Sequence, residues 1–174
     1  RKESSAASDV YKRQVLSYGN VKFFQLRIKK IKNNNLINIV KKIRNITLRY
    51  KVKFIINDNY VLAANSKADG CHMGQLDGSF EIAKRKLRNK ILGVTCHNSK
   101  ILAANAIRDG ANYLAFGSFF KSKLKPHAIK ANFDIIRWAK KNTKKPIVVI
   151  GGINNLNYKK LIKSGAKYIA ISSF

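Results

Sequence analysis

The sequence predicts an α/β fold, a (β/α)8 TIM barrel truncated at both ends, with the first strand and helix and the last helix missing, and three observations carry that prediction. Short β-rich runs alternate with segments of helical pattern from Val21 onward, which is the signature of βαβ units and a parallel sheet. "GANYLAFGS" (110–118) and "GAKYIAISS" (165–173) repeat the same helix stop, strand and small polar ending, with another strand and helix between them, as an array of βα modules would. Seven strands can be counted in the sequence, so one more ahead of them completes eight. That count favours the barrel over a doubly wound sheet and puts an active site at the C-terminal strand ends.

The elements follow in order. Residues 1–14, "RKESSAASDVYKRQ", show a period of neither 2 nor 3.6. Within them "DVYKRQ" (9–14) resembles the translated end of a transposon, so a non-native or disordered tail is expected over 1–14 and one barrel domain over 15–174. Strands are expected at "VKFFQLRI" (21–28), "VKFII" (52–56), "DGCHM" (69–73), "ILGVT" (91–95), "NYLAF" (112–116), "PIVVI" (146–150) and "KYIAI" (167–171). Helical patterns lie between them, at 35–50, 78–89, 98–110 and 132–142. Asn98 and Asn154 are the expected N-caps, and Gly110 and Gly165 the expected stops.

Composition narrows the function classes. At 174 residues and 45% apolar content the chain can bury a core. No apolar run approaches the roughly 20 residues that span a bilayer, and the start lacks a signal-peptide core, so a cytoplasmic protein with no membrane partner is expected. Cys71 and Cys96 are too few for a secreted disulfide scaffold and read as reduced thiols. There are 36 Lys and Arg against 8 Asp and Glu, a formal charge of +28, which raises polyanion binding as a competing reading. The basic residues are spread evenly, however, beside many Asn and Ile, and the aromatics fall inside apolar runs rather than beside a basic cluster. No nucleic acid is expected as partner.

Polar residues at the strand ends carry the chemistry. In "FQLRIK" (24–29), Gln25, Arg27 and Lys29 alternate with Leu26 and Ile28, so the three heads share one strand face. A guanidinium fork, a mobile ammonium and an amide suit a diphosphate; a solvated strand face is the alternative, and the barrel, whose inner face is not solvated, favours the site. Asp58 closes "FIIND", and Asp77 follows the strand carrying His72. Two such carboxylates suit one Mg²⁺, which takes one or two carboxylates together with phosphate oxygens; an Asx turn or helix cap is the competing role for Asp58, and a turn acid in "LDG" for Asp77. "GSFFKSKLK" (117–125), with Ser122 and Lys125, follows a strand, while "IGGI" (150–153) precedes a helix whose amides could take an anion. Gly151, Gly152 and Ser172 are therefore candidates for a second, monophosphorylated molecule. Zinc on Cys71, His72, Cys96 and His97 is disfavoured, because neighbouring strand residues point to opposite faces. His72 and His97 are either site or structural residues, His127 a loop residue, and Phe133 and Trp138 helix packing.

These motifs together resemble the thiamine phosphate synthase family, over residues 21–174. "QLRIK", "IIND", "GCHMGQLD", "LGVTCH" and "IGGI" stand where that family has its characteristic segments. The resemblance implies a (β/α)8 barrel that joins hydroxymethylpyrimidine diphosphate to hydroxyethylthiazole phosphate and releases pyrophosphate. It implies that Gln25, Arg27, Lys29 and Asn57 hold the pyrimidine diphosphate, with Asp58 and Asp77 on Mg²⁺. Thr95 stands where the family has a serine near the pyrimidine and leaving group, Lys125 matches a lysine on the diphosphate, and Ser122 matches a threonine on the thiazole phosphate. Gly152 and Ser172 would offer amides to that phosphate. Arg27, Lys29, Thr95 and Lys125 are thus the expected catalytic set. The chain departs from the pattern at Gly117-Ser118 and at Leu124, which cannot donate the hydrogen bond of the family's second threonine. Thiazole phosphate tautomerase, with His97 as acid or base, is the alternative on the same barrel, and a basic phosphate- or RNA-binding protein is the alternative from another class. A homo-oligomer is compatible with either.

Overall fold

The computed structural model describes residues 13–28, 33–121 and 128–171. The elements are a short helix over 13–17 (α1), then β1 (Phe23–Leu26), α2 (Asn33–Arg49), β2 (Lys53–Asn57), α3 (Tyr60–Asn65), β3 (Gly70–Met73), α4 (Phe80–Leu87), β4 (Ile91–His97), α5 (Lys100–Arg108), β5 (Tyr113–Phe116), α6 (Phe133–Asn142), β6 (Ile147–Ile150), α7 (Tyr158–Lys163) and β7 (Tyr168–Ala170). All seven expected strands form, and strand order follows chain order, β1 to β7. The fold is therefore α/β with a parallel sheet. The chain divides into two compact units, Arg1–His72 with Arg85–Ile91, and Met73–Lys84 with Leu92–Phe174.

In the first unit β1 pairs with β2 in parallel, Gln25 opposite Ile55, and β2 with β3, Asn57 opposite His72. Side chains alternate along a strand, so Gln25, Ile55, Asn57 and His72 share one face, while Phe54, Ile56 and Cys71 occupy the other and are buried. Helix α2 buries Val40, Ile43 and Ile46, a three-residue spacing that makes one apolar stripe, with the buried Thr47 beside it donating its hydroxyl to the Arg44 carbonyl. It ends in a Schellman motif: Lys51, at φ 55, donates to Leu48, and Val52 to Thr47.

Two polar contacts tie this unit together. Asp69, just before β3, accepts from the Phe54 backbone at 2.8 Å, from Arg44 and from Lys53 at 3.4 Å. Lys90 spans the last turn of α3, donating to the carbonyls of Ala63 and Ser66 at 2.6 Å each and Ala64 at 3.2 Å. These are orphan acceptors that a helix end leaves unsatisfied, and a cation is favoured beside them.

In the second unit β4 pairs with β5, β5 with β6 and β6 with β7, all parallel. Leu114, Phe116 and Val149 pack with Ala103, Ile136 and Leu161 in one buried cluster. Phe133 and Trp138 lie against it, as expected for helix packing. Gly93, Thr95, Tyr113 and Ala115 therefore take the opposite strand face. Gly93 lies under the Tyr113 ring, where a Cβ would sit 1.9 Å from the ring carbon. The repeated Gly-Ala explains itself: Gly110 donates to Ile107 and Ala111 to Ala106, while Gly165 donates to Ile162 and Ala166 to Leu161. Both are Schellman stops with the glycine at positive φ, 87° and 115°.

The expected N-caps are corrected. Ser99, not Asn98, caps α5 by accepting from Leu102 at 3.2 Å. Asn98 instead accepts from the backbone of Asn132, which itself caps α6. Asn154 accepts from Leu156 and Asn157, organising a turn rather than the start of α7, whose N-cap is Asn157. A hydroxyl one residue nearer the helix wins because the capping oxygen must reach the N2 or N3 amide. Among the described residues no helix is long and apolar enough to cross a membrane.

Burial pushes the Asp69 carboxyl up, but the Phe54 amide, Arg44 and Lys53 outweigh it, and the pKa lies below its ordinary value of 3.8. A carboxyl with a lowered folded pKa contributes stability above its unfolded pKa and loses it as pH falls through the folded one. Denaturant melts from pH 6 to 2 should therefore show an acid-side loss that Asp69→Asn flattens; an unchanged slope would deny Asp69 this role.

Candidate functional site

In the first unit the strand ends gather four of the expected residues. Gln25 donates through Nε2 to Oδ1 of Asn57, and Asn57 donates through Nδ2 to Oδ1 of Asp58. Arg27, just past β1, places Nε 3.8 Å from Oδ2 of Asp58. Both side chains of that pair are about two-fifths exposed, 43% and 40%, so the cluster is open to a solute. Its amides, guanidinium and carboxylate are the groups that orient a diphosphate and its counter-ion.

The backbone aims Asp58. Its N–H donates to His72 at 2.8 Å, and the next N–H, of Asn59, turns back to Asn57 at 2.9 Å. This tight turn holds Asp58 at φ 67, a region that disfavours most side chains but tolerates Asp and Asn. The helix-cap alternative falls away, since Asn59 caps α3 by accepting from Leu62 at 2.8 Å. A carboxylate held in this sparsely populated backbone region at a strand end motivates a functional reading.

In the second unit the β3–α4 loop carries Asp77. Its Oδ2 accepts from the Gly74 backbone at 2.6 Å, so the turn role expected for it is real, but Ser79 takes the amide of Ile82 at the start of α4. Thr95 stands on β4 where the β4–β5 register shifts between Thr95 and His97, and such bulges re-aim side chains. His97 follows at φ 51, with its side chain exposed. His72 is buried.

The glycine pair is built for close approach rather than for a helix terminus. Gly151 and Gly152 adopt φ 106 and 60, and a Cβ would lie 2.0 Å from the Ser118 hydroxyl at the first and 2.3 Å from the Lys121 carbonyl at the second. Phe119 donates to Ile150 and Phe120 to Gly151, at 3.2 and 3.0 Å, zipping the strand endings of β5 and β6 together. Helix α7 begins at Tyr158, so "IGGI" precedes it as expected, with residues 154–157 between the two. Asn157 reaches back to donate to the Gly152 carbonyl at 3.0 Å.

Lys29, Ser122, Lys125 and Ser172 lie outside the described residues, as do Leu124 and His127. Cys71 and Cys96 are buried thiols. Burial pushes Cys96 up to about 12, which rules it out as a nucleophile near neutrality. Sequence reasoning did not single out two residues that bond to expected ones: Gln75, whose Nε2 donates to the Thr95 carbonyl, and Asn157, which donates to the Gly152 carbonyl. Gln75 was visible only as one letter of a motif, and Asn157 carried no signal.

A family model described as thiamine monophosphate synthase matches residues 5–174. The chain is 51% identical over 160 residues to a thiamine-phosphate synthase of Pelagibacter ubique, covering 92% of this chain and 77% of that one. It is 40% identical over 154 residues to a thiamine-phosphate synthase of Alcanivorax borkumensis, covering 88% and 71%. Among solved structures, a thiamine phosphate pyrophosphorylase from Pyrococcus furiosus superposes with a TM-score of 0.83 at 31% identity, over 94% of this chain and 78% of that one.

The turn at Asp58 predicts an order of stabilities. The left-handed conformation costs a residue such as Ala about 1–2 kcal/mol, which in a chain of this size shifts melting by about 2–8 °C. Asp58→Asn should therefore melt with the parent and Asp58→Ala below it by that amount. Equal melting of the two variants would mean that residue 58 is not held at positive φ.

Proposed function

Because the chain belongs to the thiamine monophosphate synthase family, we propose that it is a cytoplasmic transferase that joins hydroxymethylpyrimidine diphosphate to hydroxyethylthiazole phosphate, giving thiamine phosphate and pyrophosphate. The observation that carries this reading is the strand-end cluster of Gln25, Arg27, Asn57 and Asp58, which offers amides and a guanidinium to a diphosphate beside a carboxylate for its counter-ion. An eight-stranded barrel is part of the proposal.

Mg²⁺ fits the donor set. Among the described residues no three His, Cys, Asp or Glu side chains converge, and Mg²⁺ requires no such cage, since it takes one or two carboxylates with substrate oxygens and water. Asp58 and Asp77 are the residues we assign to it; when bound, it neutralises charge on the leaving pyrophosphate. Arg27, Lys29 and Lys125 are the chain's own cations that we assign to the same task, since positive charge stabilises pyrophosphate as negative charge grows on it. Gln25 and Asn57 orient the diphosphate, Thr95 lies beside the pyrimidine, and Ser122, Gly152 and Ser172 hold the thiazole phosphate.

The carbon–oxygen bond at the pyrimidine methylene breaks with its electron pair leaving on pyrophosphate, and the thiazole nitrogen supplies the pair for the new carbon–nitrogen bond. No protein nucleophile is needed, in keeping with the inert Cys96. The protein's task is to hold two anionic molecules at reacting distance, which by itself removes much of the entropic barrier.

Incubation with both substrates should yield thiamine phosphate and pyrophosphate in equal amounts, stop with EDTA and resume with Mg²⁺. Asp77→Asn keeps an oxygen for the Gly74 amide but loses the charge, and should lower kcat by about 100-fold or more with little change in melting. A folded protein giving no product would refute the reading, and full activity in the variant would remove Asp77 from the metal.

A further inference from the structure

The β3–α4 loop that carries Asp77 has almost nothing apolar to anchor it. Leu76, its one large side chain, is 98% exposed, and Gln75 is exposed as well. A loop of this kind, with few buried contacts, opens at little cost. What restrains it is polar. Asp77 Oδ2 takes the Gly74 amide at 2.6 Å, which fixes the shape of the loop but not its place. Gln75 fixes the place, because its Nε2 donates to the backbone carbonyl of Thr95, at the point where the β4–β5 register shifts.

We propose that Gln75 is a positioning residue: its amide ties the loop to the end of β4 and so sets where the Asp77 carboxylate stands relative to Thr95. This deepens the reading of the preceding section and rests on it, since both residues that Gln75 links belong to the proposed site. A carboxylate on an untethered loop must be ordered each time a cation and substrate bind, and that entropy is charged against binding. Geometric slack of about 1 Å at a reacting centre can cost on the order of 100-fold in rate.

Two variants and two readouts test it. Gln75→Met keeps length and removes the donor; Gln75→Lys restores a donor of similar reach. Hydrogen exchange of the loop amides 74–78 is measured without substrate, and thiamine phosphate formation is followed against Mg²⁺ concentration. The expected result is faster loop exchange in Gln75→Met, a fall of about tenfold to 100-fold in kcat/KM, a higher Mg²⁺ requirement, melting close to that of the parent, and partial return of both readouts in Gln75→Lys. Unchanged exchange in Gln75→Met overturns the proposal whatever the activity. Faster exchange with unchanged kcat/KM and Mg²⁺ requirement overturns it too, because the loop would then be tethered to no catalytic purpose. If the parent protein forms no product, the functional reading fails separately, and a lower Mg²⁺ affinity of Gln75→Met than of the parent, read by calorimetry, decides the positioning claim: a difference sustains it and equality overturns it.

Discussion

Parallel strands paired through their backbones must begin on one side of a sheet and end on the other, and the register leaves little freedom in which side chains meet at the ending side. Gln25 opposite Ile55 and Asn57 opposite His72 put four side chains of three strands on one face. The chain spends its polar residues there: amides, a guanidinium and a carboxylate follow apolar runs such as Phe54 to Ile56 that are buried. The starts of the same strands carry another kind of acid. Asp69 is clasped by Arg44, Lys53 and the Phe54 amide, so its charge is consumed in holding β2, β3 and α2 together. Two aspartates in one unit thus have opposite fates, and their position along the strands decides which.

Much of this was legible in the sequence, for identifiable reasons. Strands announced themselves because a sheet covered by helices needs short apolar runs, and the stops at Gly110 and Gly165 because only glycine takes their backbone without cost. Asp58 was legible as a strand-end acid. Its left-handed turn was not, because Asp gives no such signal where Gly would. The caps were misplaced by one to three residues, since Asn98 is taken up by the backbone of Asn132 while Ser99 caps α5, and Asn154 is taken up by the local turn ahead of Asn157. The close packing at Gly151 and Gly152 depends on Ser118 to Lys121, a contact between segments 31 to 33 residues apart that no local pattern reports.

The charge of +28 acts at a different level from the site. Its field draws any anion toward the surface, the two anionic substrates included, and that attraction is screened by salt. It supplies encounter, not selectivity. Selectivity has to come from donors held in one geometry, and the chain of hydrogen bonds from Gln25 through Asn57 to Asp58, set on a turn that only a few residue types tolerate, is such a geometry.

The most direct test separates the two levels by measuring the affinity of the pyrimidine diphosphate, with Mg²⁺ at fixed ionic strength, for Arg27→Met and for Arg137→Met. Each variant removes one positive charge, but Arg137 lies on α6, where it is paired with Asp134. The account predicts a weakening of about tenfold or more for Arg27→Met, equivalent to about 1.4 kcal/mol, and almost none for Arg137→Met. Equal effects would mean that the diphosphate is held by the overall charge of the protein and not by the residues at the end of β1.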